Sequence, residues 1–118
     1  MRYELSFLKD ILAACSKIEA IVATTSEDSF LRDEVPTAAV LHHLTVIGEA
    51  ISRLSIELRE RYPDVPWRQI IAVRHRIVHA YFDLDWQILW DASVDDIPGL
   101  RRQILSILTT EFSETESD

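Results

Sequence analysis

The residues with the widest chemical range cluster in one stretch, Arg74-His75-Arg76-Ile77-Val78-His79-Ala80-Tyr81. A histidine titrates near neutrality, so it can take up or release a proton during a reaction at ordinary pH. An arginine stays charged and presents a fork of donors that fits a phosphate. Together the two types form a minimal kit for cleaving RNA without a metal. Histidine transfers protons to or from the 2′-hydroxyl or the leaving oxygen, and arginine stabilises charge on the phosphorus oxygens. Taken alone the pairing is weak evidence, because both residue types are common on solvated helix surfaces.

Helical geometry restricts how these residues can cooperate. At about 100° per residue, Arg74 and Tyr81 fall about 20° apart, whereas Arg74 and His79 diverge by about 140°. His75 and His79, four apart, share a face. Arg74 and His79 therefore act on one phosphate only if the helix distorts or ends near His79, or if a second subunit completes the site. A two-fold dimer meets that need, since each copy presents the same patch.

Blander readings compete with this one. His79 alone reads more readily as a surface or structural histidine. The His75/His79 pair has the spacing of a zinc half-site, but no cysteine or carboxylate cluster lies nearby to complete it, and no metal site is expected. His42-His43 points two ways at once and reads as partial burial. Trp67, Trp86 and Trp90 could stack on RNA bases, yet their helical contexts favour packing. Tyr81, beside Phe82, could serve only to anchor a helix end in the core.

The elements that must position these residues are helices. Leu5, Leu8, Leu12 and Cys15 recur at steps of three and four, with Ile11, Ile18 and Val22 widening the stripe; this predicts a helix from Tyr3 to about Ala23. Thr24-Thr25-Ser26-Glu27-Asp28 supplies a stop and a new start, followed by a short helix through Phe30 and Leu31 that ends before Pro36. A long helix over Thr37 to Leu54 carries Val40, Leu41, Leu44, Ile47 and Ile51. Its mid-helix Gly48, costing about 1 kcal/mol relative to alanine, points to close approach of another helix. A short helix over Ser55 to Tyr62 breaks at Pro63. Asp64 is the candidate cap of the next helix, which has Pro66 in its first turn and carries the Arg/His motif. Asp83-Leu84-Asp85 caps a short helix through Trp86 and Trp90. Ser93 or Asp95-Asp96 is expected to start a last helix, with Pro98 near its beginning.

With no alternating β pattern, repeat or linker, this organisation predicts an all-α, up-and-down bundle of four to five helices in one domain over 1–112. An acidic tail, 113–118, is expected to be disordered. The chain has 118 residues, 47% of them hydrophobic and 27% charged, enough for one core. No apolar run approaches the roughly 18–20 residues that span a bilayer, and the first residues lack the layout of a signal peptide. With one cysteine, Cys15, no intrachain disulfide can form, and a cytoplasmic location is expected. A formal net charge of −8 argues against a general nucleic-acid coating protein. Charge is nevertheless uneven. Between Val65 and Phe82 no acid occurs, while Arg68, Arg74, Arg76, His75 and His79 all do. A local positive site of that kind suits a specific phosphate contact better than sequence-blind tracking along a strand.

The stretch Pro66 to Phe82 resembles the motif region of the HepT-like HEPN family: an arginine, a polar residue, a few intervening residues, then His-x-Tyr. Here these are Arg74, His75, three residues, His79, Ala80 and Tyr81. The resemblance covers nearly the whole chain. Ile47-Gly48-Glu49-Ala50 with Leu54 is similar to the family's second long helix, and Asp83-Leu84-Asp85 and Asp96-Ile97-Pro98 to the segments after the motif.

What the resemblance implies is a homodimer whose motifs meet in a cleft at the subunit interface. Such proteins act as metal-independent endoribonucleases, without a cofactor, and are the toxins of type VII-like toxin–antitoxin pairs. Their usual partner is a minimal nucleotidyltransferase antitoxin, which in some pairs transfers AMP to the motif tyrosine. Carried over, Arg74 and His79 are the catalytic pair, Tyr81 is the candidate for AMPylation, and Arg68 and Arg76 are possible RNA contacts. His75 stands where the family more often has asparagine or aspartate, so it is either a second acid–base group or a hydrogen-bonding support. The alternative is a non-catalytic helical dimer that holds RNA or nucleotide and serves as the nucleotidyltransferase's partner.

Overall fold

In the computed structural model the backbone is described for residues 2–117 and side chains for 3–112. The expected acidic tail, 113–118, lies outside the residues whose side chains are described. All regular structure among the described residues is helical: α1 (Arg2–Ala23), α2 (Glu27–Arg32), α3 (Glu34–Ser52), α4 (Ile56–Arg61), α5 (Trp67–His79), α6 (Trp86–Asp91) and α7 (Ile97–Ser117), with a 3-10 turn at Tyr81–Asp83. A π-helical turn, Ala92–Asp96, joins α6 to α7 without a break. The described residues therefore form four long rods, the last running through α6 into α7, and two short helices, α2 and α4.

The buried stripes follow the sequence periods. Leu8, Ile11, Cys15 and Ile18 of α1 are fully buried, as are Val40, Ile47 and Ile51 of α3. α1 packs on α3 and α7, and α3 packs in turn on α5. Burial, and then the neighbouring Glu19 carboxylate, push the Cys15 thiol up to about 12. It behaves as a small core hydrophobe.

Capping explains most helix starts. The Ser26 side chain accepts from the Ser29 amide, Ser55 from Leu58, and Asp85 from Gln87, each satisfying a donor the helix cannot. Three boundaries differ from expectation. α3 begins at Glu34 rather than Thr37, because Asp33 accepts from the Val35 amide and Pro36 sits in the first turn, where its missing donor is harmless. Asp64 does not cap α5, whose start at Pro66 has no side-chain cap. The indole nitrogen of Trp67 instead donates to the carbonyls of Arg59 and Tyr62, both at 3.0 Å, tying α5 to the end of α4. The last helix, thirdly, does not start anew at Ser93 or Asp95-Asp96. Pro98 has no N–H for the Val94 carbonyl, and a ring there would collide with it in a regular helix. The wider turn absorbs this, with the Ile97 amide bonded to the Ala92 carbonyl.

All three tryptophans pack. Trp67 is buried, Trp86 and Trp90 lie against the core, and Trp90 meets Phe30 at 5.2 Å between ring centres. His43 is half-buried beside an exposed His42, and burial, then His42 and Lys17, hold its pKa below the ordinary value.

Arg61 and Tyr62 both donate to Glu111, fastening α4 to α7, with Arg61 Nη2 at 2.9 Å from Glu111 Oε1. The Arg61 hydrogen bond, then that of Tyr62, holds the Glu111 carboxyl below its ordinary 4.5. A depressed carboxylate pKa adds stability in full above the unfolded value, and that stability is lost as pH falls through the folded value. Glu111→Gln should therefore melt a few degrees below wild type at pH 6. The gap should narrow as pH falls below 4.5 and through the folded value, in thermal unfolding followed by circular dichroism.

Candidate active site

α5 carries the motif, and α3 determines where one end of it sits. A Cβ built on Gly48 would lie 2.3 Å from Arg74 Cβ and 2.8 Å from Arg74 Cγ. Glycine is thus what lets α5 come close enough to α3 for the Arg74 stem to lie on its backbone, the close approach that a mid-helix glycine predicted. From there the guanidinium reaches the next residue of α3: Arg74 Nη2 is 2.9 Å from Glu49 Oε1. The other carboxylate oxygen, Glu49 Oε2, accepts from Arg53 Nε at 3.1 Å. Among the described residues Arg74 Nε is buried without a hydrogen-bond partner, while 33% of the side chain remains exposed.

The histidines look elsewhere. His75 and His79 are exposed, with ring centres 4.3 Å apart, on the outward face of α5. Arg68, at seven and eleven residues from them, falls within about 40° of that face on a 100° wheel. Arg68 and Arg76 are exposed and form no ion pair among the described residues. Among the described residues no third His, Cys, Asp or Glu joins the histidine pair to make a metal-holding group.

α5 stays helical through His79 and ends at Ala80, whose amide bonds to the Arg76 carbonyl at 2.8 Å. The helix thus ends directly after His79, one of the conditions for Arg74 and His79 to act together, but its course is regular up to that point and no hydrogen bond links the two. After the helix, Tyr81 is 50% and Phe82 98% exposed, so neither anchors the helix end in the core. Between α5 and the α6–α7 rod lies an apolar groove of about 860 Å³, floored by Leu44 and Ile47 and walled by Ile70, Val73, Leu89 and Leu100.

Glu49 and Arg53 escaped the sequence reading. Glu49 stood in the quoted Ile47-Gly48-Glu49-Ala50 segment without a role of its own, and the Glu–Arg pair one turn apart is also an ordinary surface pattern.

Comparison with known proteins agrees with this architecture. Residues 11–107 match the family described as "Ribonuclease HepT-like", and the chain belongs to that HepT-like family of all-helical ribonucleases. A protein of Caldanaerobacter subterraneus subsp. tengcongensis named "Putative RNase" is 35% identical over 105 residues, covering 89% of this chain and 94% of its own. The "Probable ribonuclease HepT" of Thermococcus cleftensis is 34% identical over 95 residues, covering 80% and 86%. No solved structure matches the chain. No helix among the described residues is long and apolar enough to cross a membrane.

Proposed function

We propose that this protein is a metal-independent endoribonuclease, the cytoplasmic toxin of a type VII-like toxin–antitoxin pair. The observation that carries the reading is Arg74: a guanidinium anchored beside Gly48 and Glu49, yet one-third open to solvent, on the same helix as the exposed His75–His79 pair that follows it. Its setting suits a phosphate contact, because the guanidinium is held in place and still has donors to spare.

In the reaction His79 accepts the 2′-hydroxyl proton as that oxygen attacks the adjacent phosphorus. Arg74 stabilises the charge that grows on the non-bridging oxygens, and a protonated imidazole returns a proton to the departing 5′-oxygen. The products are a 2′,3′-cyclic phosphate and a 5′-hydroxyl. His75, in ring contact with His79, either supplies that second proton or orients its neighbour. Arg68 and Arg76 hold flanking phosphates.

The divergence of Arg74 and His79 supports a site shared by two copies of the chain. So do the open groove, lined in part by the exposed Val73 and Ile88, and the exposed Val78 and Phe82, apolar surface of the kind subunits cover. Tyr81, exposed next to the motif, is the residue through which a minimal nucleotidyltransferase antitoxin would silence the site by AMP transfer. A bulky anion there would repel the RNA backbone.

The test is incubation of total RNA with the purified unmodified protein in excess EDTA. Fragments ending in 2′,3′-cyclic phosphate are the expected result. RNA retained intact, with binding detected, would favour a non-catalytic dimer that serves as the nucleotidyltransferase's partner.

A further inference from the structure

We infer that Glu49 is the positioning residue of the site: it sets the Arg74 guanidinium so that its free edge meets the scissile phosphate. The inference rests on Arg74 being the phosphate contact of the proposed nuclease. Three observations lead to it. First, the Arg74 stem is confined, with its Cβ and Cγ against the backbone position of Gly48, so only the outer torsions remain to be determined. Second, Glu49 Oε1 forms an ion pair with Nη2 at 2.9 Å, a single attraction that draws the guanidinium to one side. A bidentate grip would consume two of the five guanidinium donors, whereas this one leaves most of the fork available. Third, Glu49 is itself tethered: Arg53 Nε, one turn further along α3, holds its other oxygen at 3.1 Å. The result is a relay from Arg53 through Glu49 to Arg74, with one carboxylate balancing two cations and a net positive charge left over.

A purely stabilising ion pair would explain these contacts less well. Glu49 is 42% and Arg53 60% exposed, and pairs that open to water add little to folding. Arg74 Nε is also left buried and unpartnered, an arrangement that stability alone does not favour. Fixing the direction of a flexible cation has its value where the geometry of a reacting group matters.

The test compares Glu49→Ala and Glu49→Gln with wild type, at matched thermal stability and oligomeric state, on a short RNA oligonucleotide in EDTA. Glu49→Ala should lower kcat by about 10–100-fold with KM little changed, because the Arg74 charge stays nearby but loses its aim. Glu49→Gln should recover most of the loss, since its amide oxygen can take the place of Glu49 Oε1 beside Nη2. Wild-type kcat in Glu49→Ala would overturn the inference. A faster enzyme would overturn it too, by making Glu49 a competitor for Arg74. A second readout does not need cleavage: the 15N resonance of Arg74 Nε–H, sharp in wild type, should broaden in Glu49→Ala and return in Glu49→Gln. If wild type does not cleave RNA, the nuclease reading fails by itself. An unchanged Arg74 resonance in Glu49→Ala would then still refute the positioning role, and a broadened one would support it.

Discussion

Gly48→Ala should destabilise the protein by about 1–3 kcal/mol and reduce RNA cleavage sharply, although alanine is the better helix former. Propensity alone would favour the substitution by about 1 kcal/mol. The new methyl, however, would sit 2.3 Å from Arg74 Cβ, and that atom is fixed to the α5 backbone. A clash with the end of a flexible chain is relieved by rotation; this one requires α5 to move away from α3. The displacement carries Arg74 out of reach of Glu49, so the two losses have one cause. Urea unfolding monitored by tryptophan fluorescence, alongside cleavage of one RNA oligonucleotide, measures both. A more stable and fully active variant would mean that the α3–α5 spacing does not position the site.

Arg74→Ala and His79→Ala should each lower the cleavage rate by about 10²–10⁴-fold, the range for removing a positioned general base or a charge-stabilising donor. Their effects on folding should differ in kind from that of Gly48→Ala. His79 is exposed, so its loss should leave thermal unfolding nearly unchanged. Arg74→Ala removes one partly exposed ion pair, worth about 0–1 kcal/mol. Arg74→Lys keeps the charge but not the planar fork, and should restore little of the rate. Rates near wild type for His79→Ala, with fold and association intact, would turn the reading toward RNA binding without cleavage.

Much of the fold was legible in the chain because each rod has a continuous apolar stripe, such as Leu8, Ile11, Cys15 and Ile18, and short polar caps such as Ser26 and Asp85. The π turn was not legible. Ser93 and Asp95-Asp96 look like a helix start, and only the hydrogen-bond register shows that the chain passes through them unbroken. Asp64 failed as a cap for a related reason: Trp67 anchors the start of α5 through a tertiary contact that no local pattern reveals. At the site, helical spacing alone indicated that Arg74 and His79 diverge, and the regular course of α5 to His79 agrees. Gly48 announced a close helix contact without naming its partner. That partner is Arg74, and the identification depends on the register between α3 and α5, a property of packing. Glu49 and Arg53 were hidden for the same reason.

The proposed nuclease site takes Arg74 from one copy and His79 from another. Co-expressing the Arg74→Ala and His79→Ala chains, so that they assemble randomly, tests it most directly. Random pairing gives mixed dimers in which one of two sites keeps both residues, so cleavage in EDTA should return to about a quarter of the wild-type level, far above either variant alone. If the mixture cleaves no faster than the single variants, the two residues do not come together across an interface, and the shared-site account is wrong.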